Sequence, residues 1–550
     1  MITAVILVGM IGVPVAMPLV QLAQHPAALR SWDETDRQLA VARNTIELVG
    51  GTLLLVLPLG IVTAVLLYRS DLPGRRVFRF LTVLTLFVPL PLLTSAWQAA
   101  LGAGGWLPAL GLRAVPSSAP GAGWQPWTQG LAPAIWVHAL AGLPWVVWLV
   151  GQGLCWVERE LEEEALLAAP PWRVLWRVTL PRCRGAIAAA ALVVAIQTAT
   201  EITVSDMMGV RTFAEEVYLQ FLIEGGAVLA RAAAVCLPQL VVVVVLVIGV
   251  AGRWERTLPA LEQVAPPICL FPLGMARWPL FVLVLLTVEI FAGVPVLALF
   301  WKAGLGGSPE TWSADRLASQ LAGVAAGKSG LIAENLLLVA CAGLMAATLA
   351  LIACWEAVET RWFRVLLLVV SAAALAMPGP VTAFGLKKTI DYLLAAEETI
   401  LPSGAEPLRL ALYDGPSMLP VLWVSVIRFF AVAVAVLWPA VRLLPSELRD
   451  AARVDGARPV DELRRVIFPL TRQAWLRALL AVGVLSLGEL SAGKLVETPG
   501  STTLAHVIFE QMHRGVPSDV AALCLLLLFT VGVGGGLVAL VGRGSGEPGA

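Results

Sequence analysis

The stretch RDAARVDGARPVDELRRVIFPL, Arg449 to Leu470, decides the fold. It lies between two apolar runs, LPVLWVSVIRFFAVAVAVLWPAV before it and ALLAVGVLSLGELSAGKLV after it. The flanks read as membrane spans and the middle as two short charged helices. Ser446 suits an N-cap and Glu447 a first helical turn. Leu448, Ala451 and Ala452 follow at helical spacing. Gly456 permits a left-handed turn that ends this helix, and Pro459 fits the first position of the next. Val460, Leu463, Val466 and Ile467 give the second helix one apolar face. Pro469 is expected to interrupt it near the membrane.

The rest of the chain explains the flanks. Of 550 residues, 58% are hydrophobic and 14% charged, and the mean hydropathy is +0.83. Soluble proteins carry about 25% charged residues, so the composition is that of a polytopic membrane protein. Twenty tryptophans against four tyrosines suit a membrane-interface belt. The formal net charge is zero, which removes any global attraction to nucleic acid. Seven cysteines are scattered singly and read as small buried hydrophobes. Four histidines without metal-ligand spacing give no metal site, and no cofactor is expected.

About twelve segments are long enough to span a bilayer, near 2–23, 44–68, 78–101, 131–155, 185–206, 231–252, 278–300, 331–355, 364–386, 417–441, 474–496 and 518–541. All should be helical, because backbone groups in lipid must bond internally. The N-terminal run lacks a basic n-region and a cleavage site, so it is expected to be an uncleaved first span. With the N-terminus inside, the inner segments hold about 23 of the 38 basic residues. That bias predicts both termini, and both charged loops, in the cytoplasm.

A shift of 288 residues superimposes the charged stretch on an earlier one. Ala169, Pro171, Leu175, Arg177, Val178, Pro181 and Arg184 fall on Ala457, Pro459, Leu463, Arg465, Val466, Pro469 and Arg472. Chance gives about one identity over so short a stretch. Glu201 falls on Glu489 in the same register, and Asn44 and Asn335 each open a span at nearly that offset. The chain therefore reads as an all-α protein of two tandem six-helix units. The first is 1–252 with its loop at about 158–184, and the second is 278–550 with its loop at about 445–472. A cytoplasmic linker, 253–277, joins them.

The repeated loop resembles the EAA motif of bacterial ABC importer permeases: Glu-Ala-Ala, three residues, Gly, nine residues, then Ile-x-Leu-Pro. The second copy reads Asp450-Ala451-Ala452, Gly456, then Val466-x-Phe468-Pro469. The first reads Glu162-Glu163-Glu164, Ala168, then Val178-x-Leu180-Pro181. Ala168 stands at the glycine position, where it cannot turn left-handed as cheaply. The resemblance implies that Glu162, Ala168, Pro171, Arg177, Pro181, Asp450, Ala451, Ala452, Gly456, Pro459, Arg465 and Pro469 form coupling helices. These would dock two copies of a cytoplasmic ABC ATPase, with an extracytoplasmic solute-binding protein delivering substrate. The chain would then be a transport subunit of the bacterial inner membrane, surrounded by lipid, with no enzyme activity of its own. RNTIELVGGTLLLVLPLGIVTAVLLYRSDLPGRR, TATEITVSDMMGVRTFAEEVY and ELSAGKLVETPGSTTLAHVIFEQ are similar to the fused twelve-span permeases for iron(III) and thiamine. That resemblance makes ferric iron the first expectation for the solute. Thiamine, a polyamine or another small solute remains open.

Glu201 and Glu489 fall in or near the outer parts of spans five and eleven. Intramembrane carboxylates tend to face a water-filled cavity, so they either line the path between the halves or make helix–helix hydrogen bonds. Arg428 interrupts span ten and either pairs with Glu489 or lines the same path. His138 is expected to be packed and hydrogen-bonded. GVAAGKSG, Gly323 to Gly330, resembles a phosphate-binding loop, but it has three residues where four are needed. An ion-gradient-driven carrier using Glu201 and Glu489 is the alternative reading. Such a carrier has no need of a repeated cytoplasmic loop.

Overall fold

The computed structural model describes residues 2–32, 35–86, 88, 90, 93–94, 96–97, 130–222, 227–257, 269–306, 311–400, 406–514 and 517–543. Helix dominates them, and the one strand pairing is the two-residue contact of Leu305–Gly306 with Thr311–Trp312. Among the described residues, seven helices are long and apolar enough to cross a membrane, and two further pairs do so with a sharp bend. The chain is a polytopic all-α membrane protein. The expected span at 78–101 lies partly outside the described residues; Arg75–Thr85 is its helical start.

The bends correct the sequence reading. The span expected at 364–386 is two helices, Arg361–Ala376 and Gly379–Ile400, meeting at 115°. Met377, Pro378, Gly379 and Pro380 cause the break, because two prolines lack donors and a residue before proline leaves helical geometry. Met377 sits at ψ 124°. The spans expected at 185–206 and 474–496 also end early, at Thr200 and Leu487. In the opposite direction, Ala314–Glu359 runs 46 residues. At 1.5 Å per residue that is about 69 Å, twice a bilayer core. GVAAGKSG lies inside this helix and so forms no phosphate-binding loop.

Pro469 does not interrupt its helix, because the chain takes a wider turn instead. Leu463–Ile467 forms a π turn, and the Phe468 N–H reaches back to the Leu463 carbonyl. The first copy does the same over Leu175–Thr179, in the 288-residue register. Val8–Gly12, Glu289–Gly293 and Leu410–Asp414 are π turns too. Each of the five is followed one residue later by proline: Pro14, Pro181, Pro295, Pro416 and Pro469. A proline has no N–H for the i−4 carbonyl and crowds it. In four of them the extra residue relieves that conflict without ending the helix; after Leu410–Asp414 the chain leaves the helix at extended Gly415.

The two units are consecutive in sequence but interleaved in space. The leading helix Ile2–Gln24 packs on the second unit, where Leu7 and Ile11 join a core with Leu386, Val424 and Ile427. The Trp423 indole donates to the Met10 carbonyl at 2.7 Å. Conversely, Val284, Val288 and Phe291 of the seventh span pack into the first unit's core with Phe78 and Leu143. Helices approach closely at small residues, as membrane helices do. A side chain at Gly343 would strike the Leu479 carbonyl at 2.5 Å. Exposed Leu54, Val245, Leu286, Leu337 and Val369 face outward as a lipid-compatible surface.

Candidate functional site: two charged loops and a polar cavity

The second loop turns as its glycine requires. Helix Ser446–Val454 ends at Gly456, whose φ is +78°. The Gly456 N–H donates to the Arg453 carbonyl and the Ala457 N–H to the Ala452 carbonyl, both at 3.0 Å, which is a Schellman closure. Pro459 then opens the next helix. Ser446 is the first helical residue and Pro445 takes the capping position, one residue earlier than expected. In the first loop Ala168 stays helical, and the chain turns through extended Ala169 and Pro170.

The two motif acids occupy opposite environments. Glu162 is fully buried and ion-paired to the equally buried Arg69 at 3.1 Å. It also accepts the Thr179 hydroxyl at 2.7 Å, and Arg69 donates to the Cys269 carbonyl at 3.1 Å. Burial pushes the Glu162 carboxyl above the ordinary range, and Arg69 and Thr179 pull it back only in part. Asp450, in the same register, faces water. In the second loop the buried acid is Glu462, which accepts Arg453 Nε at 3.0 Å and the Trp355 indole at 3.1 Å. Arg453 also ion-pairs with Glu359, and Arg449 lies 3.5 Å from Glu359. Arg69 and Glu359 both close the long second helix of their unit. Each loop is thus pinned to that helix end by an ion pair, with the polarity reversed between units. Pro171, Arg177, Pro181, Ala451, Pro459, Arg465 and Pro469 lie on or near the exposed face of the two loops, with Ala452 half-buried.

At the far ends of the fifth and eleventh spans the structure brings Glu201, Glu489, Arg428 and His138 around one cavity of about 190 Å³. Both carboxylates sit where a helix breaks, and both cap the short helix that follows. Glu201 accepts the N–H groups of Thr203 and Val204 at 2.7 and 2.8 Å. Glu489 accepts the Ala492 N–H at 2.8 Å and the Ser491 hydroxyl at 2.7 Å. Such charge-assisted bonds at a helix start explain why the spans end there. Arg428 lies 2.8 Å from Glu489. His138 is buried, but its Nε2 has no hydrogen-bond partner, contrary to expectation, and stands 4.0 Å from Glu201. Trp145, Phe291, Phe429 and Val432 supply apolar wall from both units. The side chains that sequence reasoning missed include Gln197 and Ser491 in this lining. The repeated Pro-x-x-Trp-Val at 133–137 and 420–424 marks the two spans that carry His138 and Arg428.

Nearer the loops, Arg477 of the second unit donates to Gln152 Oε1 of the first at 2.8 Å. This bond bridges the seam between the units beside Trp148, Trp156 and Pro439.

A model of the binding-protein-dependent transport system inner membrane component matches residues 56–256 and, a second time, 340–543. A putrescine transport system permease protein of Escherichia coli K12 is 30% identical over 115 residues, 21% of this chain and 41% of that protein. A permease protein of Salmonella typhimurium named for a 2-aminoethylphosphonate transport system is 32% identical over 127 residues, 22% of this chain and 48% of that protein. The matches thus span less than half the length of either relative. Two copies of the family model cover most of the chain, in tandem and around the two charged loops: the chain belongs to the binding-protein-dependent transport system inner membrane component family.

Proposed function

We propose that the chain is the transmembrane subunit of an ATP-driven ABC importer, with both permease units in one polypeptide. The observation that carries this is the pair of charged loops: each is built in the same register, turned by its own device and ion-paired to its own unit. A loop with no partner has no need to be built twice. On this reading the loops face the cytoplasm, as do both termini, and each docks one copy of a separate ATPase that supplies all the chemistry. An extracytoplasmic solute-binding protein delivers a small solute to the bacterial inner membrane. The units divide at 1–252 and 278–550, joined by 253–277. Glu201, Glu489 and Arg428 line the path, and rocking of the units about the seam opens it alternately to each side.

The iron(III) expectation has less support than the class. The two relatives are named for putrescine and 2-aminoethylphosphonate, and among the described residues no three His, Cys, Asp or Glu side chains gather as a metal site. A gradient-driven carrier is the competing reading, favoured only by the carboxylates in the cavity. Reconstitution in liposomes with the ATPase separates the two. The importer reading expects uptake that needs ATP, stops with orthovanadate and survives a protonophore. Uptake that persists without ATP and collapses with the protonophore would establish the carrier.

A further inference from the structure

The cavity between the units carries an unbalanced charge. Arg428 and Glu489 neutralise each other at 2.8 Å, and the remaining capacity of Glu489 is largely taken by Ser491 and the Ala492 N–H. Glu201 has no such cation. Its donors are all neutral, the Thr203 and Val204 N–H groups and the Thr203 hydroxyl, and a carboxylate offers about four lone-pair sites. The nearest basic side chain, His138, stands 4.0 Å away, beyond hydrogen-bond reach. His138 is only 3% exposed, yet its Nε2 is unpartnered and faces the same space. A polar atom buried without a partner costs about 1–3 kcal/mol, and an uncompensated carboxylate among apolar walls costs more. An uncompensated carboxylate and an unpartnered imidazole nitrogen therefore face one small space, whose other polar lining includes Gln197, Ser491 and the paired Arg428.

We infer that Glu201 and His138 form a subsite for the ammonium group of a small solute passing between the units. An ammonium carries one positive charge, three donors and no acceptor. It would balance Glu201 and, with the His138 ring proton on Nδ1, donate to the unpartnered Nε2. A carboxylate or phosphate group would be repelled by Glu201. A neutral hydroxyl could bond to Glu201 or His138 but would leave the charge. A ferric ion needs several anionic ligands, and beside Glu201 the cavity lining offers only Glu489, already paired with Arg428. This assignment rests on the permease reading and narrows it to a solute class.

The test uses the full-length purified chain and two probes of equal size, ethanolamine and ethylene glycol, at matched millimolar concentrations. Ethanolamine should raise the thermal unfolding midpoint of the wild type, and ethylene glycol should not. Glu201→Gln keeps an oxygen for one of the Thr203 and Val204 N–H groups, gives up the other bond and removes the charge, and should abolish the response. Should that variant fail to fold, His138→Leu leaves the carboxylate and its caps in place and should weaken the ethanolamine response at least ten-fold. An equal response to both probes, or an unchanged response in whichever variant folds, overturns the subsite. ATPase retention is scored on the same wild-type preparation. If the ATPase is retained and ethanolamine has no effect, the subsite falls and the importer reading stands. If ethanolamine binds and no ATPase is retained, the importer reading falls and the subsite passes to the carrier.

Discussion

Glu162 and Asp450 share a register and differ in everything around them. Glu162 is sealed against Arg69 with both side chains at 0% exposure, while Asp450 faces water. Removing one member of a fully buried pair leaves a bare charge and costs about 3–5 kcal/mol. Arg69→Met should therefore lower the thermal unfolding midpoint sharply in detergent, and adding Glu162→Leu should restore most of the loss. Glu359→Gln removes a pair whose acid is 41% exposed and should cost about 1 kcal/mol or less. If the two single substitutions prove equally mild, Glu162 is not held as described. Gly456 makes a second contrast. Its left-handed φ of +78° costs an L-residue about 1–2 kcal/mol. Gly456→Ala should weaken ATPase retention measurably, whereas Ala168→Gly, at a helical position, should not strengthen it.

At the scale of elements, the sequence made the loops legible because their spacing is set by local chemistry: glycine for a turn, proline for a helix start. The 288-residue register carried through to the π turns over Leu175–Thr179 and Leu463–Ile467. The breaks at Glu201 and Glu489 were not legible. An apolar run sets no boundary, and the boundary here comes from a carboxylate capping the next helix. The pins were hidden for another reason. Arg69 and Glu359 do the same work with opposite charge, so comparing the halves by identity scores them as a mismatch. The π turns can be tested directly. Pro469→Ala returns the missing N–H, letting the turn close to α geometry and rotating the loop by about 100° relative to the membrane helix. The chain should still insert and purify, while its stimulation of ATP hydrolysis falls several-fold. Unchanged stimulation would show that the angle set by this turn does not matter.

At the scale of the molecule, the two units are tied by exchanged leading helices and touch across a seam. The cavity with Glu201 and Glu489 lies toward one end of the seam, and the Arg477–Gln152 hydrogen bond toward the other. A path through the molecule must part that bond. In a background without the native cysteines, Gln152→Cys with Arg477→Cys should cross-link under oxidation and stop solute uptake, with recovery on reduction. Uptake that continues while cross-linked would place the path elsewhere. Recognising two six-helix units in the sequence did not reveal their interleaving, because the repeat records ancestry along the chain and says nothing of which helix docks where.

On the proposed function, the two charged loops exist to bind an ATPase. The most direct measurement is co-purification of that ATPase with the solubilised chain, comparing the wild type with Gly456→Pro. Proline cannot adopt the left-handed turn and lacks the N–H that closes it onto Arg453. The wild type should retain the ATPase at close to two copies per chain, and the variant should lose at least half of it while the chain remains folded. Equal retention by both proteins, or none by the wild type across several mild detergents, would contradict the proposed function.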